Sequence, residues 1–533
     1  MNAYRRLCRA LPAWVVLLVV GVLAGGVNAW LVALNPPAPR VHDEFSYLLS
    51  ADTFLEGRLT NPTHAHWPHF ETMHVIHQPS YASKYPPGQG LLLAAGKALT
   101  GWSMAGVCFA TGLAAAACVW MLRVWMPMRW AVVGGLLVAF HAGIQLQWGM
   151  SYWGGALAMA AGAAVVGGAA RLARPNGPLL TSAIAYAMGA LTLAVTRPFE
   201  GCLLVVGSAV IVAWGWLRAD QMPRRRAVTR VVAPAAFLGA AGGAGLLGYN
   251  ATVTGDPLRM PYQVHEQDYG ATPLFVWQAP TADHEYRHDP LRRYHLAASM
   301  WWHHQQQTFD GFVTLKAWLT RCSLEFFLPA PIALATLAIG WSRRRRLWPW
   351  LLLGIGVWGA SLGAVWMFPH YLAPIAPLLL LAVVAGLRSF RTLERRLPSR
   401  RRWITPSLVM LQTLIFAFAA YDRAKAPREG WAYTRQALTA ELVKMPGQDL
   451  VFVHYAPNHN VHDEWVYNRA DIDAAPVVWA RELGGSADEA LRDYFHDRRV
   501  WVLHADEQPK RLVPYEAPSS GDIAGAPGEL ASG

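Results

Sequence analysis

The most constraining feature of this 533-residue chain is a series of apolar segments, each about 20 residues long. A helix of that length crosses the hydrocarbon core of a bilayer, and in lipid each backbone polar group must find its partner inside the segment. The pattern therefore predicts a polytopic α-helical membrane protein with about eleven transmembrane helices. We place them at 12–34, 103–122, 130–149, 152–170, 179–196, 199–217, 231–250, 323–341, 347–367, 371–388 and 403–421.

Composition agrees with this interpretation. Only 15% of the residues are charged, whereas a soluble globular chain carries about 25%. The run 11–34 is too long for the apolar part of a signal peptide, so we predict an uncleaved first span. The five cysteines lie in or beside apolar segments, which implies no disulfide framework.

The arginines predict the orientation. If the N-terminus is cytoplasmic, the alternate connectors that face the cytoplasm hold 23 arginines, whereas the short outward connectors hold only Arg197. The net charge of +12 is therefore explained by topology anchors, and we expect no nucleic-acid partner. The predicted location is the inner (plasma) membrane, with the C-terminal region on the extracytoplasmic side.

Three units follow from this topology. Residues 1–421 form the transmembrane module, with long outward loops at 35–101 and 251–321. Residues 422–515 are predicted to form a small extracytoplasmic α/β domain, with strands at 450–455 and 500–504 and helices near 429–445 and 486–496. The tail, 516–533, is predicted to be disordered.

The first outward loop carries two motifs. It opens with His42-Asp43-Glu44, an acid pair close to the membrane surface, where acids are functional candidates. The alternative is an ordinary helix start whose acids favour the dipole. Before the second span the loop continues with Lys84-Tyr85-Pro86-Pro87-Gly88. A lysine at headgroup level suits an anionic lipid phosphate, although a simple snorkelling lysine fits the same position.

These motifs resemble the GT-C superfamily of polytopic glycosyltransferases, especially bacterial relatives of protein O-mannosyltransferases and of lipid A aminoarabinose transferases. The resemblance covers roughly residues 10–390. Gly88, and the tyrosine between Lys84 and the prolines, depart from the family pattern. The residues that carry the resemblance are Asp43-Glu44, Lys84-Tyr85-Pro86-Pro87, Arg197-Pro198 and Pro369-His370-Tyr371.

The resemblance implies an inverting transfer of a sugar from a polyprenyl-phosphate donor to a hydroxyl of a glycan, lipid or protein acceptor at the outer membrane face. Asp43 would be the general base, and Glu44 would orient it or the acceptor. Because Trp301-Trp302 is followed by His303, the Trp-Trp-Asp motif of oligosaccharyltransferases is absent, and we expect a single-sugar donor. The residues implied to bind the donor phosphate are Lys84, Arg197, Tyr85, His370 and Tyr371.

Several alternatives remain open at this stage. His64-x-His66-x-x-His69 could ligate a metal, but we favour no metal and no other cofactor. Arg197 could pair with Glu200 instead of contacting a donor. A second triplet, His462-Asp463-Glu464, is interpreted as a chance repeat. The alternative functions are a transporter or flippase of a lipid-linked sugar, or a non-catalytic relative that binds lipid.

Overall fold

The computed structural model describes residues 11–174, 179–218, 227–281, 284–328, 345–395 and 403–515. The first half of the helical module consists of α1 (Ala13–Leu34), α2 (His42–Leu55), α3 (Pro87–Thr100), α4 (Met104–Leu122), α5 (Met128–Ala139), α6 (Ala156–Leu172), α7 (Leu179–Ala194), α8 (Pro198–Arg218) and α9 (Ala233–Thr254). It continues with α10 (Pro261–Tyr269), α11 (Asp289–Arg293), α12 (Met300–His304), α13 (Phe309–Phe327), α14 (Trp348–Ser361), α15 (Ala376–Glu394) and α16 (Ile404–Lys425).

Six of the described helical segments are long and apolar enough to cross a membrane, which makes the chain a multi-pass membrane protein. They contain α1, α4, α8, α9, α15 and α16, and three shorter apolar helices, α5, α6 and α7, lie among them. The predicted total of eleven spans stays a prediction. Most of the predicted span 323–341 and the tail 516–533 lie outside the described residues.

The predicted span 130–149 is broken in the structure. Helix α5 ends at Ala139, and a π-helical segment follows at Gly143–Trp148. The Gln145 side-chain amide donates to the carbonyls of Ala139 and Ala24, and Asn28 donates to the carbonyl of Gln145. These buried amides supply the hydrogen bonds that the interrupted helix lacks, which is why polar residues occur in this apolar stretch.

The segment 35–101, predicted as an outward polar loop and called the first outward segment below, contains helices α2 and α3 and a hairpin of β1 (Val75–Ile76) and β2 (Ala82–Ser83). Helix α3 approaches α2 at Gly90, where a Cβ atom would lie 2.6 Å from that of Ser50. Gly88 donates its N–H to the carbonyl of Val195, and a Cβ atom there would lie 2.6 Å from that oxygen. The departure from the family pattern at Gly88 therefore has a packing reason.

The second outward segment, as we call the predicted outward loop 251–321, is also helical, and a helix crosses its predicted C-terminal boundary. Helix α13 begins at Phe309, within the predicted loop 251–321. Its first turn is capped by Thr308, whose hydroxyl accepts from the Gly311 N–H. Hydropathy alone predicted the boundary, whereas the capping threonine marks the residue at which the helix begins.

The C-terminal α/β region, residues 431–515, contains α17 (Trp431–Lys444), α18 (Gly485–Tyr494) and four strands. The predicted strands 450–455 and 500–504 correspond to β3 (Asp449–His454) and β5 (Arg499–His504). Strands β3, β4 (Val477–Arg481) and β5 are parallel, β6 (Arg511–Pro514) is antiparallel, and the order is β4-β3-β5-β6.

The C-terminal α/β region packs on the first outward segment. Phe45 and Phe70 share one buried cluster with Leu450 and Phe452 of the sheet, and Tyr467 stacks on Phe45 with ring centroids 4.1 Å apart. This shared core fixes the position of the C-terminal region next to Asp43.

Candidate functional site

Two cavities lie on opposite sides of one wall. The first, of about 550 Å³, is polar and is lined by Asp43 together with histidines and tyrosines. The second, of about 430 Å³, is mainly apolar and contains Arg197. Both volumes are typical of small-molecule sites. The residues that line both cavities, and so form the wall, are Lys84, Tyr85, Tyr262, Trp366 and Tyr371.

Asp43 lies in the first turn of α2, where a negative charge is favoured by the helix dipole. Its Oδ1 atom is 2.8 Å from His74 Nδ1, and Tyr85 is a further hydrogen-bond partner. Burial alone would raise the pKa of Asp43, but these hydrogen bonds and the nearby Lys84 ammonium hold it well below its usual value. Asp43 is therefore an ionised carboxylate in the polar cavity.

Glu44 does not line either cavity. Its carboxylate accepts the N–H groups of Arg40 and Val41, which satisfies the start of α2, and that of Tyr152 from another segment. The capping position explains why an acid follows Asp43. The predicted catalytic role of Glu44 stays untested. In the structure its carboxylate connects the start of α2 to the backbone of Tyr152, and none of these hydrogen bonds goes to Asp43.

Lys84 is buried, with 7% of its surface exposed, so it does not snorkel. Its ammonium is 3.6 Å from Glu266 and lies over the rings of Tyr85 and Tyr262, 5.5 and 5.3 Å from their centroids. Burial lowers the pKa of Lys84, and the neighbouring carboxylates of Glu266 and Asp43 partly oppose that effect. The lysine that the sequence pointed to is thus the buried half of an ion pair with the partly exposed Glu266.

Arg197 follows α7 and lines the apolar cavity. Its guanidinium lies 4.6 Å from the ring centroid of Tyr371. Among the residues that the structure describes, no carboxylate is within ion-pair distance of Arg197, although Glu200 lines the same cavity and attracts the guanidinium electrostatically. The structure therefore shows no direct Arg197–Glu200 ion pair among the described residues, and the guanidinium lies at the wall with Tyr371 and Glu200 as neighbours.

His370 and Tyr371 complete the predicted set. His370 stacks on Trp153 with centroids 5.3 Å apart, and its ring is 4.6 Å from that of Tyr371. His370 lines the polar cavity, while Tyr371 belongs to the wall. The structure thus gathers six of the seven predicted site residues around two adjoining cavities, and Glu44 is the exception.

Sequence reasoning missed several residues of the polar cavity, among them His74, Glu266, Tyr294 and His295. Glu266 and His265 lie on the short helix α10, and Tyr294 and His295 begin a π-helical segment of the second outward segment. These histidine, tyrosine and acidic residues follow no family motif, so their spacing in the sequence does not mark them as site residues. The density of these residues in 262–304 is the one signal that was available.

The histidine-rich stretch of the first loop brings the His66 ring to 5.9 Å from that of His64 and 6.5 Å from that of His69, measured between centroids. His64 contacts Asp473, and His69 hydrogen-bonds to the carbonyl of Arg481, so both join the C-terminal α/β region to the first loop. Over the described ranges, no group of three or more His, Cys, Asp or Glu residues is placed to hold a metal. The expectation of no cofactor is not tested by this.

This architecture is a helical membrane module with the segments 35–101 and 251–321 and the C-terminal α/β region gathered over two cavities, and its fold is also found in a solved structure. Among solved structures, ArnT from Cupriavidus metallidurans in the apo state matches over 92% of each chain, with a TM-score of 0.52 and 13% identity. At that identity the likeness establishes the fold alone.

Two further structures give lower scores. ArnT from the same organism bound to undecaprenyl phosphate has a TM-score of 0.49 at 14% identity over 92% of each chain. The Archaeoglobus fulgidus oligosaccharyltransferase in complex with zinc and sulfate has a TM-score of 0.47 at 12% identity, over 91% of this chain and 67% of that one. No protein-family model and no curated protein sequence matches the chain.

Proposed function

We propose that the protein is a glycosyltransferase that moves a single sugar from a polyprenyl-phosphate donor to an acceptor hydroxyl at the outer face of the membrane. The observation that carries this proposal is the pairing of the two cavities. One ionised carboxylate, Asp43, faces the polar cavity, and one arginine, Arg197, faces the apolar cavity on the other side of a shared wall.

A lipid-linked sugar phosphate has three parts that match this layout. The prenyl chain suits the apolar cavity, the phosphate suits the guanidinium of Arg197 and the ammonium of Lys84, and the sugar suits the polar cavity. The aromatic wall residues Tyr85, Tyr262 and Tyr371 lie where the phosphate would cross between the cavities.

The proposed chemistry is a single displacement. The acceptor hydroxyl gives its proton to the Asp43 carboxylate while its oxygen forms a bond to the anomeric carbon. The bond from that carbon to the phosphate oxygen breaks on the opposite side, and the anomeric configuration is inverted. Arg197 and Lys84 stabilise the charge that develops on the leaving phosphate, an effect often worth about 3 kcal/mol for one preorganised donor.

The position of the polar cavity indicates the side from which the acceptor would enter. It lies between the first outward segment and the C-terminal α/β region, so a glycan, lipid or protein hydroxyl would enter from the extracytoplasmic side. The proposed topology keeps the N-terminus in the cytoplasm and the protein in the inner membrane. No metal or other cofactor is part of the proposed reaction.

The direct test is transfer of a labelled sugar from a synthetic polyprenyl phosphate by the purified protein in lipid. A set of hexose, pentose and aminopentose donors, with a cell-envelope extract as acceptor, covers the donor and acceptor classes. Labelled product that appears only with active protein supports the proposal. Movement of intact donor between leaflets without any product would support the flippase alternative instead.

The two cations should differ in the donor-binding step. Lys84 is already paired with Glu266, whereas Arg197 has no such partner among the described residues. We expect Arg197→Ala to raise the KM for the donor by about 10- to 100-fold, the loss that one charged hydrogen bond typically causes. Arg292→Ala, at an exposed arginine paired with Asp289, is the matched control and should leave the KM unchanged.

Lys84→Ala has a second consequence, because it leaves the partly buried Glu266 carboxylate without its cation beside the donor phosphate. We therefore expect the double variant Lys84→Ala/Glu266→Gln to bind donor better than Lys84→Ala alone. If the double variant is no better, Lys84 contacts the phosphate in its own right. If Arg197→Ala binds donor normally, the apolar cavity is not the donor site.

A further inference from the structure

Three contacts hold the side chain of His74, and two hydrogen bonds hold its backbone carbonyl. Its Nδ1 atom is 2.8 Å from Asp43 Oδ1 and 3.0 Å from the Tyr85 hydroxyl, and its Nε2 atom is 2.9 Å from the Tyr294 hydroxyl. Its carbonyl accepts hydrogen bonds from the Ser46 hydroxyl and the Lys84 N–H. Such a set of contacts fixes both the ring and the main chain.

The backbone of His74 is unusual as well. Its φ angle is +62°, and among the described residues it is the only non-glycine residue with a positive φ. Positive φ is uncommon for residues other than glycine, although asparagine, aspartate and histidine adopt it more often than the rest, and the surroundings hold such a residue in place. Here the hydrogen bonds to the carbonyl and the adjoining hairpin of β1 and β2 hold the residue.

Helix α2 makes two of these contacts from one face. Asp43 and Ser46 are three residues apart, so their side chains lie next to each other on the helix surface. Asp43 contacts the ring of His74, and Ser46 binds its carbonyl. The helix that carries the proposed base therefore also fixes the residue that contacts that base.

The hydrogen-bond partners assign the protonation of the ring. An ionised Asp43 carboxylate can only accept, so the single proton of a neutral ring is on Nδ1 and is donated to Asp43, and Nε2 then accepts from the Tyr294 hydroxyl. Burial lowers the pKa of His74, which favours this neutral form. The Asp43 carboxylate thus accepts from His74 at Oδ1, with Tyr85 as its second hydrogen-bond partner, and it still lines the polar cavity where a substrate would lie.

We propose that His74 is the positioning residue of Asp43, which orients the carboxylate toward the acceptor hydroxyl and keeps it ionised for proton transfer. This inference rests on the proposed function, since it assigns a role to a neighbour of the proposed base. The left-handed conformation of His74 is what places Nδ1 against Asp43, and the Tyr294 hydroxyl holds Nε2 from the other side.

Other charged or titratable groups surround this pair, and the two His74 substitutions below leave all of them in place. They come from α2, the β2–α3 connection, α10, the segment that follows α11, the α7–α8 connector and the segment before α15. They are His42, Lys84, Tyr85, His265, Glu266, Tyr294, His295, Arg197, His370 and Tyr371.

The test compares two substitutions that both tolerate a positive φ. His74→Gly removes the donor and relaxes the backbone, whereas His74→Asn keeps a side-chain N–H donor and still accepts the left-handed conformation. We expect kcat for sugar transfer to fall by about 100-fold in His74→Gly, the cost of a misplaced catalytic group. His74→Asn should recover most of that loss.

The pH profile separates positioning from a merely structural role. Without the Nδ1–H donor, the pKa of Asp43 should rise, so the acid limb of kcat/KM should move to higher pH by roughly one to two units in His74→Gly. It should return toward the wild-type position in His74→Asn. Tyr294→Phe, which leaves the backbone untouched, should shift the limb in the same direction by a smaller amount.

A substrate-free measurement keeps this inference distinct from the proposed function. Infrared difference spectra of each protein against the same protein with Asp43→Asn report protonation of this carboxyl, and they should show it at higher pH in His74→Gly. If the titration of Asp43 and the pH profile of kcat/KM are both unchanged in His74→Gly, the inference is overturned. It is also overturned if His74→Gly and His74→Asn lose kcat equally while the acid limb of kcat/KM stays at the wild-type pH. Absence of transfer by the wild-type protein, with the infrared shift present, would instead overturn the proposed function.

Discussion

The same three residues occur twice in this chain, and the two copies meet. His42-Asp43-Glu44 opens α2, and His462-Asp463-Glu464 lies in the C-terminal α/β region. The rings of His42 and His462 stack with centroids 5.9 Å apart at the polar cavity. The second triplet is therefore not a second site, since its histidine reaches the first.

The two triplets use their residues differently. Asp43 faces the cavity, whereas Asp463 is not among the residues that line it. Both glutamates are buried and satisfy local structure: Glu44 accepts backbone N–H groups, and Glu464 pairs with Arg481. The comparison shows that residue type alone does not define a catalytic acid, because the surrounding elements decide which carboxylate a substrate can reach.

The largest difference should appear between the two aspartates. Asparagine matches aspartate in size but cannot take a proton, and a general base contributes about 10²- to 10⁴-fold. Asp43→Asn should therefore reduce kcat for sugar transfer by that factor, with expression and donor binding retained. Asp463→Asn is the matched control and should transfer at the wild-type rate. A fully active Asp43→Asn protein would contradict the proposed mechanism.

The two glutamates should differ in stability. Glu464 and Arg481 are both buried and form an ion pair with an N–O distance of 2.5 Å, and removing one member of a buried pair typically costs about 3–5 kcal/mol. We expect Glu464→Gln to lower the free energy of unfolding by that amount. Glu44→Gln should cost about 1–3 kcal/mol, since it weakens hydrogen bonds to backbone donors and breaks no ion pair.

Unfolding of the purified variants in detergent, followed by tryptophan fluorescence against denaturant, measures both changes. An equal or reversed order would mean that Glu44 has a role beyond capping α2. Transfer by the folded Glu44→Gln protein completes the test. If folded Glu44→Gln were inactive while Asp43→Asn stayed active, the roles of the two acids would be exchanged.

Much of this architecture could be predicted because it depends on local patterns. The apolar runs predicted the membrane helices, and the β-branched runs at 450–455 and 500–504 predicted two of the four strands. Local patterns could not predict which distant segments contact each other. Tyr467 contacts both His42 and Phe45, more than 400 residues away in the chain, and nothing in either stretch signals the other.

The site shows the same limit. Asp43, Lys84 and Arg197 were selected because a family pattern marks them, and the structure brings them to adjoining cavities. His74 was one of six histidines in a loop, and its role depends on a backbone angle that no residue type at that position predicts. Glu266 was missed because it neutralises Lys84 from a different outward segment.

The smallest expected effect concerns the histidine that the second triplet brings to the cavity. His462 is exposed, lines the polar cavity and stacks against His42, so it lies at the mouth between the first outward segment and the C-terminal α/β region. An acceptor that enters there would meet His462 before it reaches Asp43. We expect His462→Ala to raise the KM for the acceptor by about threefold to tenfold, the loss of one ordinary hydrogen bond, with kcat and the KM for the donor unchanged.

His496→Ala is the matched control, because His496 is an exposed histidine of the same region and does not line the cavity. It should leave all three kinetic constants unchanged. A higher KM for the donor in His462→Ala would instead place the sugar phosphate at this mouth. An unchanged KM for both substrates would mean that the acceptor reaches Asp43 by another route, along the membrane side of the cavity, and that the two triplets meet for packing alone.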